Sequence, residues 1–109
     1  MDVKTGTLEL ERLEQLYAAG LQDNFVDEAL RKIVARQVER DEMDLGEIET
    51  ILVEYESMFG MRSEEFSEKF AAGQMEDTGD VMAWNAAYKS RERLRTRLRI
   101  LKSEDGGND

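Results

Sequence analysis

Cysteine, histidine and proline are all absent from this 109-residue chain, and each absence excludes a class of structure or chemistry. Without cysteine there is no disulfide, no thiolate zinc site and no thiol nucleophile. Without histidine the chain lacks the usual general base near neutral pH and the commonest metal ligand. Without proline, every residue can donate a backbone hydrogen bond, so long helices are not broken at a proline. We therefore expect a protein that is not an enzyme and has no cofactor and no metal site.

Long apolar runs are also missing. No run approaches the roughly 20 residues that a membrane-spanning helix needs, and the first twenty residues lack the basic and apolar segments of a secretory signal. We expect a cytoplasmic protein without a membrane partner. The length predicts one helical domain over residues 1–102. Within it, we expect residues 1–20 to form a loosely attached N-terminal helix. After it, we expect residues 103–109 to form a disordered acidic tail.

What the chain does have is charge, and the two signs are segregated. Charged residues make up 37% of the chain and its net charge is −10, so it is strongly acidic as a whole. Residues 1–88 contain 21 acidic and eight basic side chains, whereas residues 89–102 contain seven basic and one acidic. The acidic part of the chain repels nucleic acid and the basic segment attracts it.

Glycines and capping residues divide the sequence into four predicted helices, over residues 7–19, 24–58, 63–72 and 80–102. We place the caps at Thr7 and Gly20 for the first helix, Asp23 or Asn24 and Gly60 for the second, Gly73 for the end of the third, and Asp77 or Thr78 for the start of the fourth.

Gly46 raises the question of whether the second helix is continuous. Asp44 and Gly46 are typical of a break with a new capping box before Glu47. However, one stripe with steps of three and four runs through this point, and we favour a single helix. The stripe consists of Val34, Val38, Asp41, Leu45, Ile48, Leu52, Tyr55 and Phe59.

These elements predict an all-α fold. The long helix and the C-terminal helix form an antiparallel coiled-coil-like hairpin, with short N-terminal and connecting helices. Because the stripe is longer than the C-terminal helix can cover, we also predict a homodimer. The residues expected to mediate this self-association are Val34, Val38, Leu45, Ile48 and Leu52.

Six of the eight aromatic residues form three pairs with a spacing of four, which places each pair on one helix face. The pairs are Tyr55 and Phe59, Phe66 and Phe70, and Trp84 and Tyr88. Two interpretations stay open. The rings pack on one another as core, or part of the cluster, Trp84 and Tyr88 especially, stays exposed as an anchor for a partner, and the two are compatible. We predict partner contacts at all six.

The C-terminal helix has an apolar stripe of Leu94, Leu98 and Leu101 that is bordered by arginines. Arg91, Arg95 and Arg99 lie on one side of the stripe and are added to the predicted partner contacts; Arg93 and Arg97 lie on the other. One interpretation pairs these arginines with acidic residues of the long helix, such as Glu39, Glu42 and Glu49. Direct phosphate binding and contact with an acidic protein remain as alternatives.

Residues 54–94 carry a family resemblance. They read EYESMFGMRSEEFSEKFAAGQMEDTGDVMAWNAAYKSRERL: an acidic and aromatic stretch, a Gly-Met pair, Ser-x-x-Phe, an acidic loop, then Trp and Tyr before a basic helix. This pattern resembles small helical antitoxin-like proteins of archaea, cyanobacteria and other bacteria, which are encoded beside a ribonuclease-like toxin. The matching positions are Phe59, Gly60, Met61, Ser63, Phe66, Phe70, Gly73, Asp77, Asp80, Trp84 and Tyr88.

Residues 28–52 resemble the long helix of the same proteins, so that the resemblance covers about two-thirds of the chain. It departs at residues 74–78, where Gln-Met-Glu-Asp-Thr replaces a turn rich in Gly and Asp, and the first twenty residues have no counterpart. The resemblance implies a protein that neutralises a toxin encoded nearby by direct binding. Two alternatives stay open: a nucleic-acid-binding regulator that uses the Arg-rich helix, and a structural coiled-coil adaptor.

Overall fold

A computed structural model describes residues 6–103, which form four helices and no strand. The helices are α1 (Thr7–Ala18), α2 (Asn24–Phe59), α3 (Ser63–Ala71) and α4 (Gly79–Leu101). The predicted all-α fold is confirmed, and every helix boundary lies within one residue of its predicted position. Of the predicted disordered tail, only Ser103 belongs to the described residues.

The chain divides into two compact units, residues 1–33 and residues 34–109, each described separately below. The prediction of a single domain with a loosely attached N-terminal helix stays a prediction. None of the helices in residues 6–103 has the length and apolar character that a membrane span requires.

The first unit contains α1, whose two ends differ from one another in how they are capped. Thr7 is the first helical residue and not the N-cap that we predicted; the cap position is Gly6, which has no side chain to accept a hydrogen bond. At the other end Gly20 adopts a φ of +105°, as predicted for a left-handed cap. The amide of Leu21 donates to the carbonyl of Leu16 at 2.9 Å, which closes a Schellman-type turn.

The start of α2 lies in the same unit. Asp23 is its N-cap, because a carboxylate oxygen of Asp23 accepts a 3.0 Å hydrogen bond from the amide of Val26. One turn further on, Asp27 accepts a short hydrogen bond from the Tyr17 hydroxyl and so ties α2 to α1. This hydrogen bond raises the pKa of Tyr17 to about 12, because ionisation of the phenol would remove the donated proton.

Helix α2 runs through Gly46 without a break, which confirms the continuous helix that we favoured. The side-chain hydroxyl of Thr50 donates to the carbonyl of Gly46 at 3.2 Å, one turn back along the helix. A glycine inside a helix costs only about 1 kcal/mol relative to alanine. The burial of Leu52 and the packing of Ile48 beside it supply more than this amount.

In the second unit the remainder of α2 packs against α4 as an antiparallel hairpin, and α3 connects the two. The main core cluster of this hairpin consists of Leu52 from α2, Phe66 from α3, and Val81 and Trp84 from α4, each at most 2% exposed. Leu98 of α4, 8% exposed, is buried outside this cluster. The four residues of the main cluster lie towards the end of the hairpin where the chain reverses. We call this the closed end.

The short helix α3 is capped by a side chain from another helix. A carboxylate oxygen of Glu56 in α2 accepts a 2.9 Å hydrogen bond from the amide of Ser63, the first residue of α3. Gly73 follows the other end with a φ of +72°. The N-cap of α4 is Thr78, one of the two predicted candidates, and its hydroxyl accepts from the amide of Val81 at 3.2 Å.

Candidate partner-binding end of the helical hairpin

Aromatic rings from α2 and α3 stack around Trp84 of α4 at the closed end. The Phe66 ring lies 3.8 Å from the indole, centroid to centroid, and is nearly parallel to it. On the α2 side, Phe59 and Tyr55 stack on the indole with centroid distances of 5.1 and 5.8 Å. The indole Nε1 donates a 2.9 Å hydrogen bond to the hydroxyl of Ser63, so the polar atom of this core is satisfied.

The burial of these rings decides between the two interpretations of the aromatic pairs. Trp84 and Phe66 have no exposed surface, so neither ring presents a surface to a partner in this structure. A ring enclosed on both faces by neighbouring rings has no surface left for another molecule. The two residues are core, as the alternative interpretation held.

The other four aromatic residues of the predicted set are half-buried. Tyr55, Phe59, Phe70 and Tyr88 all pack against the buried cluster. Each therefore keeps an edge in solvent while its remaining surface is fixed by the core. Rings held in this way lose little side-chain entropy when another surface covers them.

Arg91, predicted as a partner contact, lies inside the protein. Its side chain is 8% exposed and forms ion pairs with Glu64 at 2.9 Å and with Glu92 at 3.1 Å. The guanidinium carbon also lies 4.9 Å from the centroid of the Tyr88 ring. Burial alone lowers the pKa of Arg91, but the hydrogen bonds to the two carboxylates outweigh burial and raise it. Arg91 therefore links α4 to α3, and its role as a partner contact stays a prediction.

The pKa of Glu64, by contrast, lies below its usual range. A hydrogen bond from its own backbone amide is the main cause, and the Arg91 guanidinium adds to it. Both interactions stabilise the ionised carboxylate at the start of α3.

Basic residues of α4, and Lys102 directly after it, are paired with acidic residues of α2, as one of the interpretations held. Arg95 lies 3.5 Å from Glu49, and Lys102 lies 2.8 Å from Glu42. Glu39, the third acid named for this pairing, has no basic partner in residues 6–103. Over the same residues, no acidic partner is found for the exposed basic side chains Lys89, Arg93 and Arg99.

The ion pair between Asp41 and Arg97 was not predicted from the sequence. Asp41 is completely buried, and its carboxylate accepts two hydrogen bonds from Arg97, at 2.7 and 3.1 Å. A third hydrogen bond, of 2.9 Å, is donated by the side-chain amide nitrogen of Gln37. The sequence signal was the position of Asp41 as the single polar residue in the α2 stripe. A buried polar residue at such a position fixes the register of paired helices.

The residues predicted to mediate self-association divide by burial. Leu52 belongs to the core of its own chain and leaves almost no surface for a second copy. Val38, Leu45 and Ile48 are half-buried, and Val34 is 39% exposed. These four keep surface that a second chain could cover.

An apolar cleft with an acidic rim opens at the closed end. Its lining residues come from the end of α2, the loop after α3 and the start of α4. Phe59, Met75 and Val81 form the apolar part, and Glu76 and Asp80 bring carboxylates to its edge. In the described part of the chain, neither carboxylate forms an ion pair. Such a cleft suits a long side chain with an aliphatic stem and a basic head.

Exposed apolar side chains lie close in sequence to the residues that line the cleft. Met58 is 62% exposed, Val53 is 62% exposed and Met82 is 49% exposed. Methionine is flexible and polarisable, and is common on surfaces that adapt to a partner. The closed end thus combines a rigid aromatic core with adaptable apolar residues at its surface.

The first unit has an exposed apolar surface of its own. Leu8 and Leu16 of α1 are each 51% exposed, and Phe25 at the start of α2 is 81% exposed. The sequence analysis assigned no role to these residues. Their exposure makes this unit a second place where a partner could bind.

Three comparisons, with protein-family models, with curated proteins and with solved structures, find no match to this chain. Over residues 6–103, no three acidic side chains are grouped so that they could hold a metal ion.

Proposed function

We propose that this protein is a non-enzymatic binding module of the antitoxin type, which neutralises a basic, ribonuclease-like protein encoded nearby by binding it directly. The single observation that carries the proposal is the acid-rimmed apolar cleft formed by Phe59, Met75, Val81, Glu76 and Asp80. The family resemblance of residues 54–94 covers the same part of the chain and adds support.

The charge of the chain supports a basic partner. Ribonucleases bind phosphate with basic side chains, and a protein with a net charge of −10 attracts such a surface at long range. The carboxylates of Glu76 and Asp80 would attract the same basic surface at short range, at the rim of the cleft. A partner lysine or arginine in the cleft would bury its stem against Phe59 and Met75.

Binding to nucleic acid through α4 is less well supported. Of the seven basic side chains in residues 89–102, four form ion pairs with carboxylates of the same chain: Arg91, Arg95, Arg97 and Lys102. A paired guanidinium attracts phosphate much less than a free one, because the neighbouring carboxylate cancels its field. The remaining basic side chains could contact few phosphates of a nucleic acid. They are Lys89, Arg93 and Arg99.

The experiment is co-expression in bacteria with the product of the adjacent gene, scored by growth. The wild-type chain should restore growth and co-purify with the partner. The double variant Glu76→Lys/Asp80→Lys should lose both effects, because it reverses the charge at the rim. The milder Glu76→Gln/Asp80→Asn should weaken them, and circular dichroism should show that both variants keep their helix content.

The matched control is Glu39→Lys/Glu54→Lys, which changes the net charge by the same amount at exposed positions outside the cleft. It should rescue growth nearly as well as the wild type. Phe25→Ser tests the exposed surface of the first unit and should also leave rescue intact. If Phe25→Ser abolishes rescue while both cleft variants retain it, the binding site lies in the first unit. If the wild-type chain neither rescues growth nor co-purifies, the proposed function is wrong.

A further inference from the structure

A groove runs between α2 and α4 in the middle of the hairpin, away from the cleft at the closed end. Its floor contains Ile48 of α2 and Leu94 of α4, both only half-buried. A pair of helices with apolar side chains still in solvent along one groove has an incomplete core.

The two edges of this groove carry opposite charges. Asp44 and Glu47 of α2 line one edge, and Arg93 and Arg97 of α4 line the other. Arg97 is already paired with Asp41. The other three form no ion pair within residues 6–103, and the guanidinium of Arg93 donates to Ser90 at 2.9 Å. Asp44 and Glu47 therefore face Arg93 across the groove without forming an ion pair with it.

We propose that a second copy of this chain covers the groove, with the two-fold axis of the dimer parallel to the hairpin. That axis places α2 of one copy over α4 of the other. The acidic edge of each chain then lies on the basic edge of its partner, at the same level along the hairpin. The two-fold axis generates this contact twice, because Glu47 of each chain lies close to Arg93 of the other.

The charges also select this arrangement over the obvious alternative. A two-fold axis perpendicular to the hairpin would place α2 over α2, with Asp44 and Glu47 facing their own copies. Like charges at a contact cost several kcal/mol. The parallel axis gives a four-helix bundle in which Ile48 and Leu94 of both copies form one continuous apolar layer.

This dimer differs in its contacts from the one expected from the sequence. Ile48 is retained from the predicted set, whereas the partner surface supplied by Arg93 and Leu94 of α4 was not foreseen. The inference does not depend on the proposed function, because the groove residues and the cleft residues do not overlap.

Charge exchange between two variants tests the proposal. Sedimentation equilibrium over micromolar concentrations should show a dimer for the wild-type chain. Glu47→Arg alone and Arg93→Glu alone should each weaken the dimer roughly tenfold or more, since each places like charges together at both symmetric contacts. Mixing the two variants should restore the dimer, because both contacts of the mixed pair again join opposite charges.

Glu39→Arg is the matched control, since Glu39 is exposed on α2 and does not line the groove. It should leave the dissociation constant unchanged, and thermal unfolding should show that all variants remain folded. A monomeric wild-type chain at tens of micromolar would overturn the proposal. It would be overturned equally if the mixed variants failed to associate better than either variant alone.

Discussion

Ser63 accepts a 2.9 Å hydrogen bond from the indole of Trp84, and both residues are completely buried. The two residues lie 21 positions apart, at the start of α3 and in the second turn of α4. This single bond therefore satisfies the polar atom of the largest core side chain and links two helices of the hairpin.

Ser63→Ala should destabilise the protein by about 1–3 kcal/mol, because it leaves the buried indole N–H without an acceptor. Urea unfolding followed by tryptophan fluorescence measures the change. Ser57→Ala, at an exposed position of α2, is the control and should stay within about 0.5 kcal/mol of the wild type. Equal effects of the two substitutions would contradict the role assigned to Ser63.

The two ion pairs between α2 and α4 that involve arginine should differ in strength. Arg97→Ala should destabilise by about 3 kcal/mol, because it leaves the buried Asp41 carboxylate without its charged partner. Arg95→Ala should cost at most about 1 kcal/mol, since Arg95 and Glu49 are both about half-exposed. Chemical denaturation of the two variants side by side makes the comparison. A larger loss for Arg95→Ala would refute the structural role given to Asp41.

Two glycines should respond to alanine in opposite directions. Gly46 is helical, and Gly46→Ala should stabilise the protein by about 1 kcal/mol. Gly73 has a φ of +72°, and Gly73→Ala should destabilise it by about 1–2 kcal/mol. A Cβ atom at either position would meet no other atom within 4 Å, so backbone conformation alone decides the sign. Thermal unfolding midpoints should move up for the first variant and down for the second.

Alkaline pH should weaken the contact between Tyr17 and Asp27. The pKa of Tyr17 in the folded chain is raised from 10.0 to about 12, so the contact stabilises the protein fully below pH 10. This contribution is lost as the pH rises through about 12, the pKa of the folded state. In a Tyr55→Phe/Tyr88→Phe background Tyr17 is the only tyrosine, and ultraviolet titration reports its ionisation. Adding Asp27→Asn should lower the measured pKa towards 10.0; an unchanged pKa would contradict the assignment.

Local signals were enough to predict the helices. Gly20, Gly60 and Gly73 have positive φ where helices end, and Asp23 and Thr78 cap helices where they begin. Each of these features depends on a few neighbouring residues, so the sequence contains the information directly. The continuity of α2 followed from a spacing pattern along the same helix.

The candidate site depended on contacts between distant residues, which spacing does not reveal. The aromatic pairs predicted a cluster, but the complete enclosure of Trp84 depends on where α3 crosses the hairpin. Arg91 and Arg97 stood out as basic residues, yet their partners Glu64 and Asp41 are fixed by the packing of α4 on α3 and α2. The cleft around Met75 is formed by three segments and could not be recognised from any one of them.

The most direct test of the central claim is the affinity of the purified chain for a catalytically inactive form of the protein encoded beside it, measured by isothermal titration calorimetry. We predict tight binding by the wild-type chain and by Glu39→Lys/Glu54→Lys, with a loss of at least tenfold for Glu76→Lys/Asp80→Lys. No heat of binding for the wild-type chain, or equal affinity for both double variants, would contradict the account.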